Sequence, residues 1–154
     1  MPSVAIALGS NLGDRRSHLE FAVARLGEFI QNLRSSTFID TAPIDVPDEQ
    51  PHYLNAVVVG ETSLRAGDVL SRLLVIERER GRDRPSPRAA RTLDLDLILY
   101  GDLVASTPTL EIPHPRFRER AFVLGPLAEI APEMVDPVTG QTIADLAREP
   151  RPFT

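Results

Sequence analysis

The stretch at residues 92–100, TLDLDLILY, carries the clearest structural pattern in the chain. Apolar and acidic residues alternate from Leu93 to Leu97, which is typical of a β-strand with one buried face. Residues two apart in a strand share a face and lie about 6.6 Å apart along the strand. We therefore predict that Asp94 and Asp96 point the same way while the leucines pack behind them.

These two carboxylates need compensation, because like charges on one strand face repel and aspartate is uncommon in strands. Two Mg²⁺ ions at Asp94 and Asp96 would supply it, since magnesium binds one or two carboxylates together with substrate phosphates. The alternative is the solvated face of an amphipathic strand, and the alternation alone leaves both interpretations open.

The segments around this strand alternate between strand and helix patterns. The predicted strands are residues 3–8, 33–40, 53–62 and 92–100, and the predicted helices are residues 17–30 and 63–79. The apolar residues expected to face the core from the first helix are Leu19, Val23, Leu26 and Ile30. The second helix is predicted to be capped by Ser63. Its expected core residues are Val69, Leu70, Leu73, Leu74 and Ile76.

This order of elements predicts an α+β fold with a ferredoxin-like βαββαβ core, in which helices cover one face of an antiparallel sheet. After Gly101, a C-terminal extension is predicted to contain a short strand near residues 110–112 and helices near residues 121–130 and 143–148. The length of 154 residues fits a single domain covering residues 1–154.

The composition excludes several classes of protein. The chain has no cysteine, which excludes a disulfide-stapled domain and a thiolate metal or redox centre. The net charge of −5 argues against sequence-independent binding of nucleic acid. The apolar run at the start is too short for a signal sequence or a membrane span, so we expect a cytoplasmic protein without a membrane partner.

All 17 basic residues are arginine, and the absence of lysine excludes Schiff-base chemistry, a Walker A loop and a protein-kinase strand lysine. Six of the arginines fall within residues 78–91, directly before the two aspartates. The first two of the six suit the C-terminal end of their own helix. The others include Arg82, Arg84 and Arg91, on a proline-containing loop that leads into the aspartate strand. This layout predicts a polyphosphate clamp over a metal pair.

Four further side chains have both a functional and a structural interpretation. His114 is singled out by its two flanking prolines, and its alternative is a hydrogen-bonded structural residue. Tyr53 and Asn55 share one strand face and could stack on and hydrogen-bond a flat heterocycle, or could simply be edge residues. Phe122 is ambiguous in the same way, with ordinary helix core as its alternative.

Four ordered groups of residues resemble the 6-hydroxymethyl-7,8-dihydropterin pyrophosphokinases of folate biosynthesis. They are residues 7–13 (ALGSNLG), 41–43 with 50–56 (TAP and QPHYLNA), 76–82 with 91–97 (IERERGR and RTLDLDL), and 112–116 with 120–124 (IPHPR and RAFVL). The matches run from residue 5 to about residue 132. The chain reads PRAAR at residues 87–91, without the tryptophan and the proline that the family commonly has in this loop.

The resemblance implies transfer of the terminal pyrophosphate of ATP to the pterin hydroxymethyl group, with AMP as the second product. It implies that Asp94 and Asp96 hold two Mg²⁺ ions, and that Arg82 and Arg91 neutralise charge near the β-phosphorus. The residues implied to contact ATP are Glu77, Arg82, Arg84, Arg91, His114 and Arg120. The residues implied to contact the pterin are Thr41, Pro43, Ile44, Tyr53, Asn55 and Phe122.

The expected partners are therefore ATP and the dihydropterin alcohol, bound by a monomer without nucleic acid. Two other functions remain open. A nucleotidyltransferase or cyclase palm also combines a ferredoxin-like sheet with strand carboxylates and two metals, but its product is linked through the α-phosphate. A non-catalytic RNA-binding or small-ligand module is the second, and the lack of an RNP-type aromatic motif and the negative charge argue against it.

Overall fold

The computed structural model describes residues 1–41, 52–81 and 92–149. Its main sheet contains five strands: β1 (Ser3–Ser10), β2 (Gln31–Ser35), β3 (Ile39–Thr41), β4 (Tyr53–Glu61) and β5 (Asp94–Tyr100). The helices are α1 (Arg15–Leu26), α2 (Ala66–Glu79), α3 (Ala121–Ile130) and α4 (Ile143–Arg148). A second, two-stranded sheet pairs β6 (Ala105–Ser106) with β7 (Glu111–Ile112), and a 3₁₀ helix follows at Phe117–Glu119.

The main sheet is antiparallel throughout, with β4 and β1 at its centre. β2 and β3 both pair with one side of β4, β1 pairs with its other side, and β5 pairs with the far side of β1. The predicted antiparallel sheet with packed helices is therefore confirmed.

Both faces of the sheet are covered, which differs from the expectation that helices lie on one face. Leu8 and Val58 pack with α1 and α2 on one face, whereas Val57 and Ile98 pack with α3 and α4 on the other. The run AVVV at residues 56–59 explains this arrangement, because a central strand with apolar residues on both sides must bury both faces.

The predicted strand at residues 33–40 is divided into β2 and β3, and Ser36 lies at the division. Its N–H donates to the Val57 carbonyl at 2.9 Å, and its Oγ accepts the Val57 N–H at 2.9 Å. The hydroxyl thus replaces a backbone carbonyl of the ladder, so the strand is interrupted without leaving the Val57 amide unsatisfied.

Helix α2 differs from its prediction at its start and on its exposed side. The cap position is Arg65, which makes no capping side-chain bond, so Ser63 is not the N-cap. Val69, Leu73 and Ile76 are buried as expected, but Leu74 is 45% exposed. Leu74 was a wrong prediction, because it lies about 100° around the helix from Leu73, outside the arc that holds the buried residues Val69, Leu73, Ile76 and Glu77.

The C-terminal helices are observed at the residues predicted for them, and α3 and α4 form the second layer of the core. None of the helices in the described part of the chain combines the length and the apolar character that crossing a membrane requires.

Candidate active site

Asp94 and Asp96 lie on the same face of β5, as predicted. Asp94 pairs with Gly9 of β1 and Asp96 pairs with Ala7, while Leu93, Leu95 and Leu97 belong to the core under α1 and α2. Both aspartates are half-buried. They share their face with Ile98, which packs in the core under α3 and α4. The carboxylates therefore stand at the end of this face, just beyond its apolar half.

The start of β4 places two more candidates on the face that carries the aspartates. Tyr53 and Asn55 alternate with Leu54 and Ala56, which belong to the opposite core. Asn55 is 6% exposed and pairs with Gly9, which also pairs with Asp94. The backbones of Asn55 and Asp94 are therefore two strand spacings apart, about 10 Å.

Gly9 provides the space between these side chains. A Cβ on Gly9 would lie 3.2 Å from Asn55 Oδ1 and 3.6 Å from Tyr53 Cδ1. The sequence pattern predicts that the first strand ends at residue 8, but β1 continues through Gly9 to Ser10. A glycine inside a strand pattern often marks a close approach of neighbouring groups, and that signal could have identified Gly9 as part of the site.

The Asn55 amide is held in one orientation by Thr41. Asn55 Nδ2 donates to Thr41 Oγ1 at 2.6 Å, and Thr41 pairs with Tyr53 across β3 and β4. With Nδ2 used by Thr41, the amide oxygen is turned towards Gly9. Three of the residues expected at the pterin, namely Thr41, Tyr53 and Asn55, are therefore brought together.

His114 is tied to β5, since its N–H donates to the Ile98 carbonyl at 3.0 Å, and its ring is near enough to Asp94 to be affected by that charge. The Arg116 N–H donates to His114 Nδ1 at 3.2 Å, so the neutral ring carries its proton on Nε2. Burial lowers the pKa of His114 below its usual value, the Arg120 charge lowers it further, and Asp94 acts in the opposite direction. The ring is therefore a neutral N–H donor at pH 7.

Arg120 and Phe122 begin α3, beside His114. Arg120 is the residue that precedes the helix, and its guanidinium carbon lies 5.7 Å from the centre of the Phe122 ring. Phe122 is half-buried against the core under α3, as its structural interpretation also expects. The charges of Asp94 and Arg120 both act on the His114 ring, so the structure brings a carboxylate and a guanidinium group near one imidazole.

Glu77 is on the opposite side of β5 from the aspartate carboxylates. It is 4% exposed, and its Oε2 accepts the Leu95 N–H at 2.7 Å. Leu95 is the residue between Asp94 and Asp96, so Glu77 holds the backbone that carries both aspartates. Sequence reasoning missed this contact, because a charge on a helix gives no signal of a bond to a strand 18 residues away.

Five predicted site residues lie outside the described residues: Pro43, Ile44, Arg82, Arg84 and Arg91. Within the ranges that the structure covers, no group of three or more acidic or histidine residues could hold a metal ion. Two carboxylates on one face suit a metal whose remaining ligands are water and substrate phosphate, which is the usual arrangement for Mg²⁺. The donor set therefore fits magnesium held jointly with a polyphosphate.

Comparison with known proteins gives a concordant result. The model of the family described as 7,8-dihydro-6-hydroxymethylpterin-pyrophosphokinase (HPPK) matches residues 5–132. The 2-amino-4-hydroxy-6-hydroxymethyldihydropteridine pyrophosphokinase of Synechocystis sp. is 42% identical over 146 residues, which are 94% of this chain and 74% of that protein.

Longer relatives contain a similar segment. The folic acid synthesis protein fol1 of Pneumocystis carinii is 40% identical over 143 residues, which are 92% of this chain but 19% of the fungal protein. The chain thus spans about a fifth of that relative's length. A crystal structure of wild-type Plasmodium falciparum HPPK-DHPS with pterin and p-hydroxybenzoate has a similar fold, with a TM-score of 0.74 at 17% identity, covering 95% of this chain and 42% of that one.

The family model and the Synechocystis relative each cover most of the chain, and the segments that carry the resemblance fall inside the matched residues. The chain therefore belongs to the 7,8-dihydro-6-hydroxymethylpterin-pyrophosphokinase family, as its motifs predict, and is an enzyme of that class.

Proposed function

We propose that the chain transfers pyrophosphate from ATP to 6-hydroxymethyl-7,8-dihydropterin, giving AMP and the pterin diphosphate, as a step of folate biosynthesis. The hydroxymethyl oxygen forms a bond to the β-phosphorus, and the bond from that phosphorus to the oxygen bridging to the α-phosphorus breaks. AMP leaves with that oxygen and its electron pair, and the hydroxyl proton is lost to water. Positioning and charge stabilisation provide the catalysis, as in other phosphoryl transfers.

The observation that carries this proposal is the pairing of Gly9 with both Asn55 and Asp94. This pairing puts two groups on one sheet face. The Asn55 amide is suited to the hydrogen-bonding edge of a heterocycle, and the Asp94 carboxylate is suited to a metal ion that binds a polyphosphate. The backbones of Asn55 and Asp94 lie about 10 Å apart. This separation would allow a flat ring at Asn55 to lie beside the polyphosphate of a nucleotide at Asp94.

Asp94 and Asp96 are the residues that would hold two Mg²⁺ ions. The ions, when bound, would neutralise polyphosphate charge and hold its oxygens in a fixed geometry. The carboxylates share one face, and the Glu77 contact fixes the backbone between them. Arg82, Arg84 and Arg91 are proposed from the resemblance to add positive charge around the β-phosphorus, and Glu77 is proposed to lie near the nucleotide.

His114 and Arg120 are proposed to bind ATP phosphates. A neutral imidazole with Nδ1 occupied by the Arg116 N–H has its Nε2–H to donate to a phosphate oxygen. Arg120 retains its charge and offers a planar set of donors that matches phosphate. The electrostatic coupling of His114 to both Arg120 and Asp94 supports a common ligand for the three.

The pterin is proposed to bind where β3, β4 and α3 meet. Tyr53 and Phe122 would stack on the two ring faces, and Asn55 would read the hydrogen-bonding edge with its oriented amide. Thr41, Pro43 and Ile44 would contribute through their backbone.

We further infer a ferredoxin-like βαββαβ core with a C-terminal extension in a single domain over residues 1–154. A monomer and a cytoplasmic location stay predictions.

Product analysis tests the function directly. The protein is incubated with MgATP and the pterin alcohol, and the products are separated and identified by ³¹P NMR. We expect AMP and pterin diphosphate in equal amounts, and neither product without the pterin alcohol. Release of inorganic pyrophosphate with a product linked through the α-phosphate would instead identify a nucleotidyltransferase, and absence of any nucleotide turnover would favour a binding module.

A further inference from the structure

A turn near the C-terminus is built around one buried carboxylate. Asp136 has a side chain that is 0% exposed, and Arg118, the Val138 N–H and the Thr139 hydroxyl all donate to it, the last two at 3.0 and 2.9 Å. The Gly140 N–H donates to the Asp136 carbonyl at 2.8 Å, and Gly140 has a φ of +75° that suits only glycine without strain. The carboxylate therefore organises the whole turn.

Arg118 is the charge that balances this carboxylate. Its Nε and Nη2 both donate to Asp136, with Nη2 at 2.8 Å from Oδ1, in the planar two-bond geometry that arginine makes with carboxylates. The guanidinium carbon also lies 4.7 Å from the centre of the Phe117 ring, which is 0% exposed. The Arg118 guanidinium is therefore held by the turn at Asp136, although its neighbours in the sequence, Arg116 and Arg120, are also arginines.

The position of Arg118 in the chain connects this ion pair to the site. It lies in the 3₁₀ helix Phe117–Glu119, between His114 and Arg120. The Arg120 N–H donates to the Phe117 carbonyl at 3.2 Å, and the Phe117 N–H to the His114 carbonyl at 3.4 Å. The segment from His114 to Arg120 is thus held at two points, by Phe117 in the core and by Arg118 bound to Asp136. Its two ends carry the side chains proposed to bind phosphate.

We propose that Asp136 is a positioning residue for ATP binding, which acts through Arg118 to hold His114 and Arg120 in place. This inference rests on the proposed role of those two side chains. Asp136→Asn removes the charged partner of the Arg118 guanidinium, whose side chain is 26% exposed, so the ion pair no longer fixes the 3₁₀ helix to the turn. A displacement of about 1 Å at a phosphate-binding group is enough to reduce binding or rate substantially.

Asp136 lies beyond residues 5–132, which the family model matches. The pair also joins residues 18 positions apart, in a segment that the core under α3 and α4 brings together.

The test compares Asp136→Asn and Arg118→Lys with Thr142→Ala. Asp136→Asn removes the charge, and Arg118→Lys keeps the charge but loses the two-bond geometry. Thr142 is the N-cap of α4, and its hydroxyl accepts the Asp145 N–H at 3.1 Å. Thr142→Ala therefore removes the cap and leaves the ion pair intact. For each variant, thermal unfolding, both KM values, kcat and the Kd of a non-hydrolysable ATP analogue with Mg²⁺ are measured.

We expect Asp136→Asn to raise the KM for MgATP and the Kd of the analogue roughly tenfold, with the KM for the pterin changed less than about twofold. Arg118→Lys should raise the same two constants by a smaller factor, because the positive charge is kept. Thr142→Ala should lower the unfolding temperature and leave both KM values unchanged. If Asp136→Asn does not fold, Arg118→Lys decides, with an expected increase of about threefold in the same two constants.

Unchanged analogue binding in the folded ion-pair variants, at a lowered unfolding temperature, would overturn the inference and leave a purely structural pair. The proposed function is tested separately, since its failure appears in the wild-type protein as absence of AMP and pterin diphosphate. His114→Ala is the positive control, because it should weaken analogue binding whether or not Asp136 positions the segment.

Discussion

Gly9 lies directly against Asn55, whose Oδ1 would be 3.2 Å from a Cβ placed on the glycine. Because this distance is shorter than ordinary van der Waals contact, Gly9→Ala must displace the amide that Thr41 orients. Such overpacking costs about 1 kcal/mol or more, so we expect a KM for the pterin raised roughly fivefold or more. Steady-state kinetics with each substrate varied separates this from an effect on MgATP.

Gly67→Ala is the matched control, because a Cβ there has no neighbour within 4 Å and the position is helical. It should leave both KM values unchanged and stabilise the fold by up to about 1 kcal/mol. A Gly9→Ala variant with the wild-type pterin KM would show that the amide of Asn55 does not contact the pterin.

The Glu77 contact predicts that Glu77→Ala lowers the free energy of unfolding more than Glu79→Ala does. Glu77→Ala leaves the buried Leu95 N–H without its acceptor, which costs about 1–3 kcal/mol of unfolding free energy. Glu79→Ala removes an exposed pair with Arg25, and its loss should cost less because solvent screens the two charges. Urea denaturation of both variants measures the difference, and equal losses would contradict a supporting role of Glu77 beneath the aspartate strand.

The buried Asp136 carboxylate should make the free energy of unfolding depend on pH. Burial alone would raise the pKa of Asp136, but the bonds from Arg118, the Val138 N–H and Thr139 hold that pKa below its usual 3.8. Since the folded pKa lies below the unfolded one, the carboxylate stabilises the fold above about pH 4, and the contribution is lost as pH falls through the folded pKa.

Urea unfolding at several pH values measures this contribution as the difference between the wild type and Asp136→Asn. The difference should be constant from about pH 7 to about pH 5 and should shrink below about pH 4. A difference that stays constant into strong acid would mean that the charge of Asp136 does not stabilise the fold.

Arg91 lies outside the described residues, and its predicted role concerns the transition state. Arg91→Ala should lower kcat more than it weakens pterin binding, because negative charge develops on the leaving oxygen as its bond to the β-phosphorus breaks. Arg65→Ala removes an exposed arginine at the start of α2 and should change neither constant. A raised KM at unchanged kcat would make Arg91 a binding residue.

Period and spacing in the sequence were sufficient to predict the helices and the antiparallel sheet. The alternation at residues 93–97 placed Asp94 and Asp96 on one face, and the helical spacing located α3 and α4. Single side chains that replace backbone partners could not be predicted in this way. Ser36 divides a strand by bonding to Val57, a contact 21 residues away that depends on the register of β4.

Candidate site residues could be predicted from the sequence where a role requires a distinctive side chain, but not where it requires space or support. Asp94, Asn55 and His114 are each chemically distinctive, and the structure places them on or beside one face. Gly9 leaves room beside Asn55, and Asp136 is proposed to act through its ion pair with Arg118. Both effects depend on distances between segments that a sequence pattern does not contain.

The central claim is that Asp94 and Asp96 jointly hold two divalent ions with the polyphosphate. Its most direct test is the stoichiometry of Mn²⁺ bound to the complex with a non-hydrolysable ATP analogue and the pterin alcohol, measured by electron paramagnetic resonance. Asp102→Asn, an exposed position just after β5, is the control. We predict two ions per chain in the wild type and the control, and fewer than two in folded Asp96→Asn. Two ions bound equally tightly by Asp96→Asn would contradict the claim.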